Sequence, residues 1–170
     1  MKTVKNLILD NMHAYQFYQC VKLEEVDIAT TSLYLRDYNF SGVFAHNMSL
    51  KGFDIFNRML LNENSDKYSD DYIRDHITSD AKTLSDFFYD TGSIPESEND
   101  SAIANFLNFF KNITTINQIF RDSHLVENIG GYFTDKNSTF LKSAISAFMS
   151  SKIKKIPVNS FQHAKNLKNI

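Results

Sequence analysis

Eight apolar residues stand five apart in the first third of the chain: Tyr18, Leu23, Ile28, Leu33, Tyr38, Val43, Met48 and Phe53. At about 100° per residue, a period of five precesses around an α-helix, and in a strand it alternates between faces. Four residues after each of these, from Leu23 onward, comes a turn former: Asp27, Ser32, Asp37, Gly42, Asn47, Gly52 and Asn57. A third column, two after the comb, reads Cys20, Glu25, Thr30, Leu35, Phe40, Ala45, Leu50 and Ile55, apolar except at Glu25 and Thr30. Two inward side chains separated by one outward residue, then a corner, is what a coil of very short strands requires.

Read in fives, the segment runs LEEVD, IATTS, LYLRD, YNFSG, VFAHN, MSLKG, FDIFN. On these residues, and most closely on YNFSG and MSLKG, residues 18–57 resemble the pentapeptide-repeat family. The resemblance implies about two coils of a four-sided, right-handed β-helix, in which Cys20 points inward. A set of irregular short strands is the looser version of the same expectation. The competing reading is a helix over residues 43–61, VFAHNMSLKGFDIFNRMLL, against which Gly42 and Gly52 weigh.

After residue 60 the period changes. Tyr72, Ile73, Ile77, Leu84, Phe87 and Phe88 form a stripe at helical spacing, entered through Ser69, Asp70 and Asp71. The run TGSIPESEND breaks it, and Asp100 or Ser101 caps a second stripe of Ile103, Phe106, Leu107, Phe110, Ile113, Ile116 and Phe120. A third, Phe140, Leu141, Ala144, Ile145 and Phe148, follows Ser138. The expected fold is therefore mostly α: a C-terminal helical bundle over 61–153, a short pentapeptide-like β-helix or irregular-strand segment over 1–60, and a basic tail over 154–170. These are expected to form one compact unit, and an all-α bundle is the alternative. Two Pro and five Gly in 170 residues favour long helices, while fifteen Phe and eight Tyr supply a core.

Cys20 is the only cysteine, which removes disulfides and cysteine-based metal sites and points to a reducing, intracellular setting for a soluble protein. No stretch approaches the roughly 20 apolar residues of a membrane span. Charge is polarised: from Lys136 onward there are seven Lys and no acid, whereas residues 62–100 hold eleven Asp or Glu against Lys67, Arg74 and Lys82. Lys152, Lys154 and Lys155 are the densest part of the tail and form a candidate anion-docking site, for lipid headgroups or an acidic partner. With no Arg in the tail and no recognisable module, nucleic acid is the least supported partner.

Phosphate loops, nucleophile elbows and zincin motifs are all missing from the sequence. The best metal candidates are Asp71, Asp75 and His76, in an acidic cluster that lacks the calcium-loop pattern. The sequence thus points to a non-enzymatic protein-protein interaction module with no cofactor, and the pentapeptide-like resemblance implies a bacterial effector or regulator, of the kind delivered into host cells. Arg36, His46, Lys51 and Phe56, which follow inward positions of the coil, are its candidate binding row, with Lys152, Lys154 and Lys155 as a second site. The alternatives are a peripheral binder of anionic membrane and a metal-dependent enzyme using the Asp66 to His76 cluster. A homodimer is compatible with either open coil ends or an apolar helix face.

Overall fold

The structure, a computed structural model, describes residues 1–8, 12–29, 34–36, 39–55, 78–92, 100, 103, 107, 110–129 and 136–170. Its strands are short: β1 (Thr3–Ile8), β2 (Glu25–Ala29), β3 (Tyr34–Leu35), β4 (Gly52–Ile55) and β5 (Thr78–Ser79). β2 lies between β1 and β4, β3 pairs with β5, and every pairing is parallel. A parallel neighbour forces the chain through a full circuit before it returns. Here the circuits stack as coils of a solenoid.

Single-residue bridges extend the β3–β5 side. Asn39, Thr83, Thr115, Ser143 and Asn169 pair in succession, all parallel, so five passes of the chain share one ladder. The other side carries β1, β2 and β4, with Asn128 paired to Lys155 farther along. Between the two sides run six-residue arcs at 14–19, 41–46, 85–90, 117–122 and 145–150. Backbone hydrogen bonds stack them: Phe17 N–H donates to the Val43 carbonyl at 3.0 Å, Phe44 to Phe87 at 3.1 Å, Phe88 to Ile119 at 2.9 Å and Phe120 to Ala147 at 2.8 Å.

Each arc turns at two residues in the left-handed region: Tyr15 and Gln19, Gly42 and His46, Asp86 and Asp90, Gln118 and Asp122, Ser146 and Ser150. Most are short or polar, the types that visit this region at least cost. The residue midway between the corners is always Phe and points inward. Its ring stacks on the next across four steps: Phe17 on Phe44 at 5.7 Å, Phe44 on Phe88 at 6.1 Å, Phe88 on Phe120 at 5.4 Å and Phe120 on Phe148 at 6.2 Å, with 11–18° between planes. Burying each ring contributes about 2–3 kcal/mol, so this column is the spine of the core.

Three residues beyond each Phe stands a small polar side chain: Cys20, Asn47, Thr91, Ser123 and Ser151. Asn47, Thr91 and Ser123 are fully buried because they satisfy backbone carbonyls inside the stack. Asn47 donates to the Phe17 carbonyl at 2.9 Å, Thr91 to that of Phe44 at 2.8 Å, and Ser123 to that of Thr91 at 3.1 Å. Buried carbonyls at a tight corner would otherwise lose their partners.

The expected mostly-α fold with its C-terminal helical bundle is not what the chain forms, and neither is an all-α bundle. Among the described residues no helix reaches seven residues; there is one 3-10 helix, Lys136–Phe140, and helical backbone at Asp100, Ile103 and Leu107. The reason lies in the arc. Ala81, Leu84, Phe87 and Phe88, then Ile113, Ile116, Ile119 and Phe120, then Leu141, Ala144, Ala147 and Phe148, recur at spacings of three, three and one and pack into the core. A strand end followed by a two-cornered arc buries the same positions as one helix face. One left-handed residue inside each run, at Asp86, Gln118 and Ser146, and a second two residues beyond it exclude the helix. Ile145 and Phe140, placed on the buried stripe by helical spacing, are about half exposed.

In the N-terminal third, Leu23 and Val43 of the five-residue comb are fully buried, whereas Tyr18 and Met48 are exposed. Phe40, Ala45 and Leu50 of the third column are buried, and Cys20 is partly buried against the core. Asp27 and Gly52, expected at corners, lie within β2 and β4. Among the described residues no helix is long and apolar enough to cross a membrane.

Candidate recognition surface on the outer arc

The residue after each core Phe is Tyr18, Ala45, Tyr89, Arg121 and Met149 in successive coils; Tyr18 and Met149 are exposed, Tyr89 and Arg121 are partly exposed, and the small Ala45 is buried. The left-handed corner beyond it contributes Gln19, His46, Asp90, Asp122 and Ser150. Because coils stack at about 4.8 Å, side chains at equivalent positions meet. Tyr18 sets its ring edge-on to the His46 imidazole at 5.2 Å, and His46 in turn meets Tyr89 at 4.8 Å. The Arg121 guanidinium lies over the Tyr89 ring, 5.7 Å from its centre.

Polar contacts fix the same groups. His46 Nδ1 is 2.8 Å from Asp90 Oδ2, an ion pair whenever the imidazole is protonated. Arg121 Nη1 donates to Gln118 Oε1 at 3.2 Å, and its Nε stands 3.4 Å from Asp122. That Nε distance is loose and the nitrogen makes no hydrogen bond, so the pair contributes orientation more than energy. Asp86, at the opposite corner of its arc, is within electrostatic reach of Arg121 and His46. Burial raises its carboxyl above the ordinary range, and the pull of Arg121 and His46 offsets this only in part.

The result is a band four coils long, aromatic at Tyr18 and Tyr89, cationic at Arg121 and edged by carboxylates. Chemically it suits recognition: planar rings and a guanidinium give large contact area at low entropic cost. His46 and Asp90 form a dyad, but no nucleophile is placed beside it among the contacts described. No three of His, Cys, Asp or Glu gather as a metal set among the described residues.

Of the sequence-predicted row, only His46 belongs to this band. Arg36 follows β3 and Lys51 enters β4, so the three occupy successive sides of one coil, with Arg36 and Lys51 exposed. Phe56, and the metal candidates Asp71, Asp75 and His76 with the rest of the Asp66 to His76 cluster, lie outside the described residues. Lys152, Lys154 and Lys155 are exposed at the far end of the solenoid, with Lys154 paired to Glu127 at 2.7 Å. Tyr18, Tyr89, Asp90 and Arg121 were missed. The signal for them was a Phe with a polar residue two on and a small polar residue three on, recurring at 17, 44, 88, 120 and 148 with unequal spacing.

A second feature of the surface is a shallow, open, apolar cleft at the first coil, lined by Met1, Cys20, Val21 and Lys22. It has one polar handle, and nothing converges on it. No family model, no curated protein and no solved structure matches this chain.

Proposed function

We propose that this chain is a non-enzymatic protein-binding solenoid whose outer arc, from Tyr18 to Arg121, carries the recognition band. The observation that supports this reading is the continuous contact chain Tyr18, His46, Tyr89, Arg121, which holds an exposed ring and part-exposed aromatic and cationic groups against one another across four coils. Side chains ordered before association lose less entropy on binding, and rings with a guanidinium are the groups that dominate interface energies. Solenoids characteristically use such extended surfaces for binding.

The test is affinity capture from lysate at physiological salt, followed by titration of the purified captured protein against the intact chain, Tyr89→Ala, Arg121→Ala and a Lys152/Lys154/Lys155→Ala variant. The reading expects a loss of tenfold or more in affinity from either arc substitution, about 1.4 kcal/mol or above, and little change from the lysine variant. A partner that tolerates both arc substitutions would remove the band as the binding site.

A further inference from the structure

The last coil of the chain has a surface chemistry unlike the outer arc. We propose that the coil formed by residues 142–170 docks end-on against an anionic lipid bilayer.

Topology supplies the first part of the argument. Lys142 and Lys168 are stacked on the bridged side, where the Lys168 N–H donates to the Lys142 carbonyl at 3.0 Å. Lys152 and Lys155 are on the opposite side, where Lys155 pairs with Asn128, and Lys165 is on the segment that closes the circuit. All five are exposed, none makes an ion pair among the described residues, and no acid follows Lys136. Lysines on opposite sides of one coil cannot be reached together from the flank. An approach along the solenoid axis reaches all of them.

The same coil also leaves apolar side chains in water, among exposed polar ones such as Asn159 and Gln162. The turn at 158–163 sets Phe161 against the end of the ring column, 6.3 Å from Phe148, and the same turn leaves Val158 100% exposed. Ile156 and Ile170 are exposed on the same coil. Exposed aliphatic side chains and lysines on one coil match the layered chemistry of a bilayer surface, with acyl chains beneath anionic headgroups.

Residue choice separates a bilayer from a protein partner. Protein interfaces enrich Tyr, Trp and Arg and deplete Lys, and residues 136–170 contain seven Lys and none of the other three. The same lack of Arg and of an aromatic stacking row argues against nucleic acid.

The full chain is mixed with vesicles of phosphatidylcholine alone or with added phosphatidylserine, and bound protein is measured by co-sedimentation across a salt series. The expected result is binding that requires phosphatidylserine and falls with salt. Lys152→Ala, Lys155→Ala and Lys168→Ala together should weaken it about a hundredfold, and Val158→Ser should weaken what persists at high salt. All four side chains are exposed, so circular dichroism of the variants should match the parent. Tyr89→Ala should leave vesicle binding unchanged, which keeps this site separable from the outer arc. Equal binding to both vesicle types, no binding to either, or a triple lysine variant that binds like the parent would each overturn the proposal.

Discussion

The Phe88 ring stacks on that of Phe120 at 5.4 Å with 13° between their planes, joining two coils whose arcs are far apart in sequence. Both rings are fully buried and both are flanked by stacked rings on either side. Phe120→Ala therefore opens a cavity in the middle of the column and is expected to cost about 3–5 kcal/mol. Phe17, at the first coil, is only partly buried and has a neighbour on one side, so Phe17→Ala should cost about half as much. Urea denaturation of the two variants checks the order; equal losses would mean that the column is not the spine.

Two glycines with positive φ should respond differently to alanine. At Gly42, φ is +61° and the added Cβ meets the ring edge of Tyr15, an exposed side chain that can swing aside. The penalty there is mainly the left-handed backbone, about 1–2 kcal/mol. At Gly92, φ is +87° and the Cβ would stand 2.8 Å from the Leu125 backbone nitrogen in the next coil, which cannot move without unstacking it. Thermal melts should show Gly92→Ala losing clearly more than Gly42→Ala.

The small polar column makes an isosteric prediction. Thr91→Val keeps the shape but leaves the Phe44 carbonyl without its 2.8 Å donor inside the stack, at a cost of about 1–3 kcal/mol. Thr91→Ser retains the hydroxyl and should lose less. A Thr91→Val protein as stable as the parent would show that the hydroxyl is replaceable by packing.

Asp86 gives a pH dependence with a definite sign. Its carboxyl is raised in the folded state by burial, so the folded protein binds that proton more tightly than the unfolded chain does. Linkage then has its ionisation destabilise the fold: the cost is absent below the unfolded carboxylate range and grows as pH rises through the raised folded value. Asp86→Asn removes it, and Asn also tolerates the left-handed corner. The variant should melt higher at neutral pH and converge with the parent in acid. A variant less stable at neutral pH would mean that the attraction of Arg121 and His46 outweighs the burial of the charge.

What the sequence by itself determined was much of the core, though not Phe140, Ile145, Tyr18 or Met48, which it placed inside and which are exposed. Leu84, Phe87, Phe88, Ile113, Ile116, Phe120, Leu141 and Ala144, taken from apolar spacing alone, are all buried, since spacing reports which side chains must leave water. The basic end was equally legible as a run of Lys without acid. The backbone path that achieves the burial was decided only by tertiary structure. A helix face and a strand followed by a two-cornered arc bury the same spacing of three, three and one, and local propensity does not separate them. The choice rests on left-handed corners at Asp86, Gln118 and Ser146 that become tolerable only once a neighbouring coil binds the arc's N–H and C=O groups. The outer band depended on the same stacking, because Tyr18, His46, Tyr89 and Arg121 come from four arcs at unequal intervals and become neighbours only when the coils lie one above another.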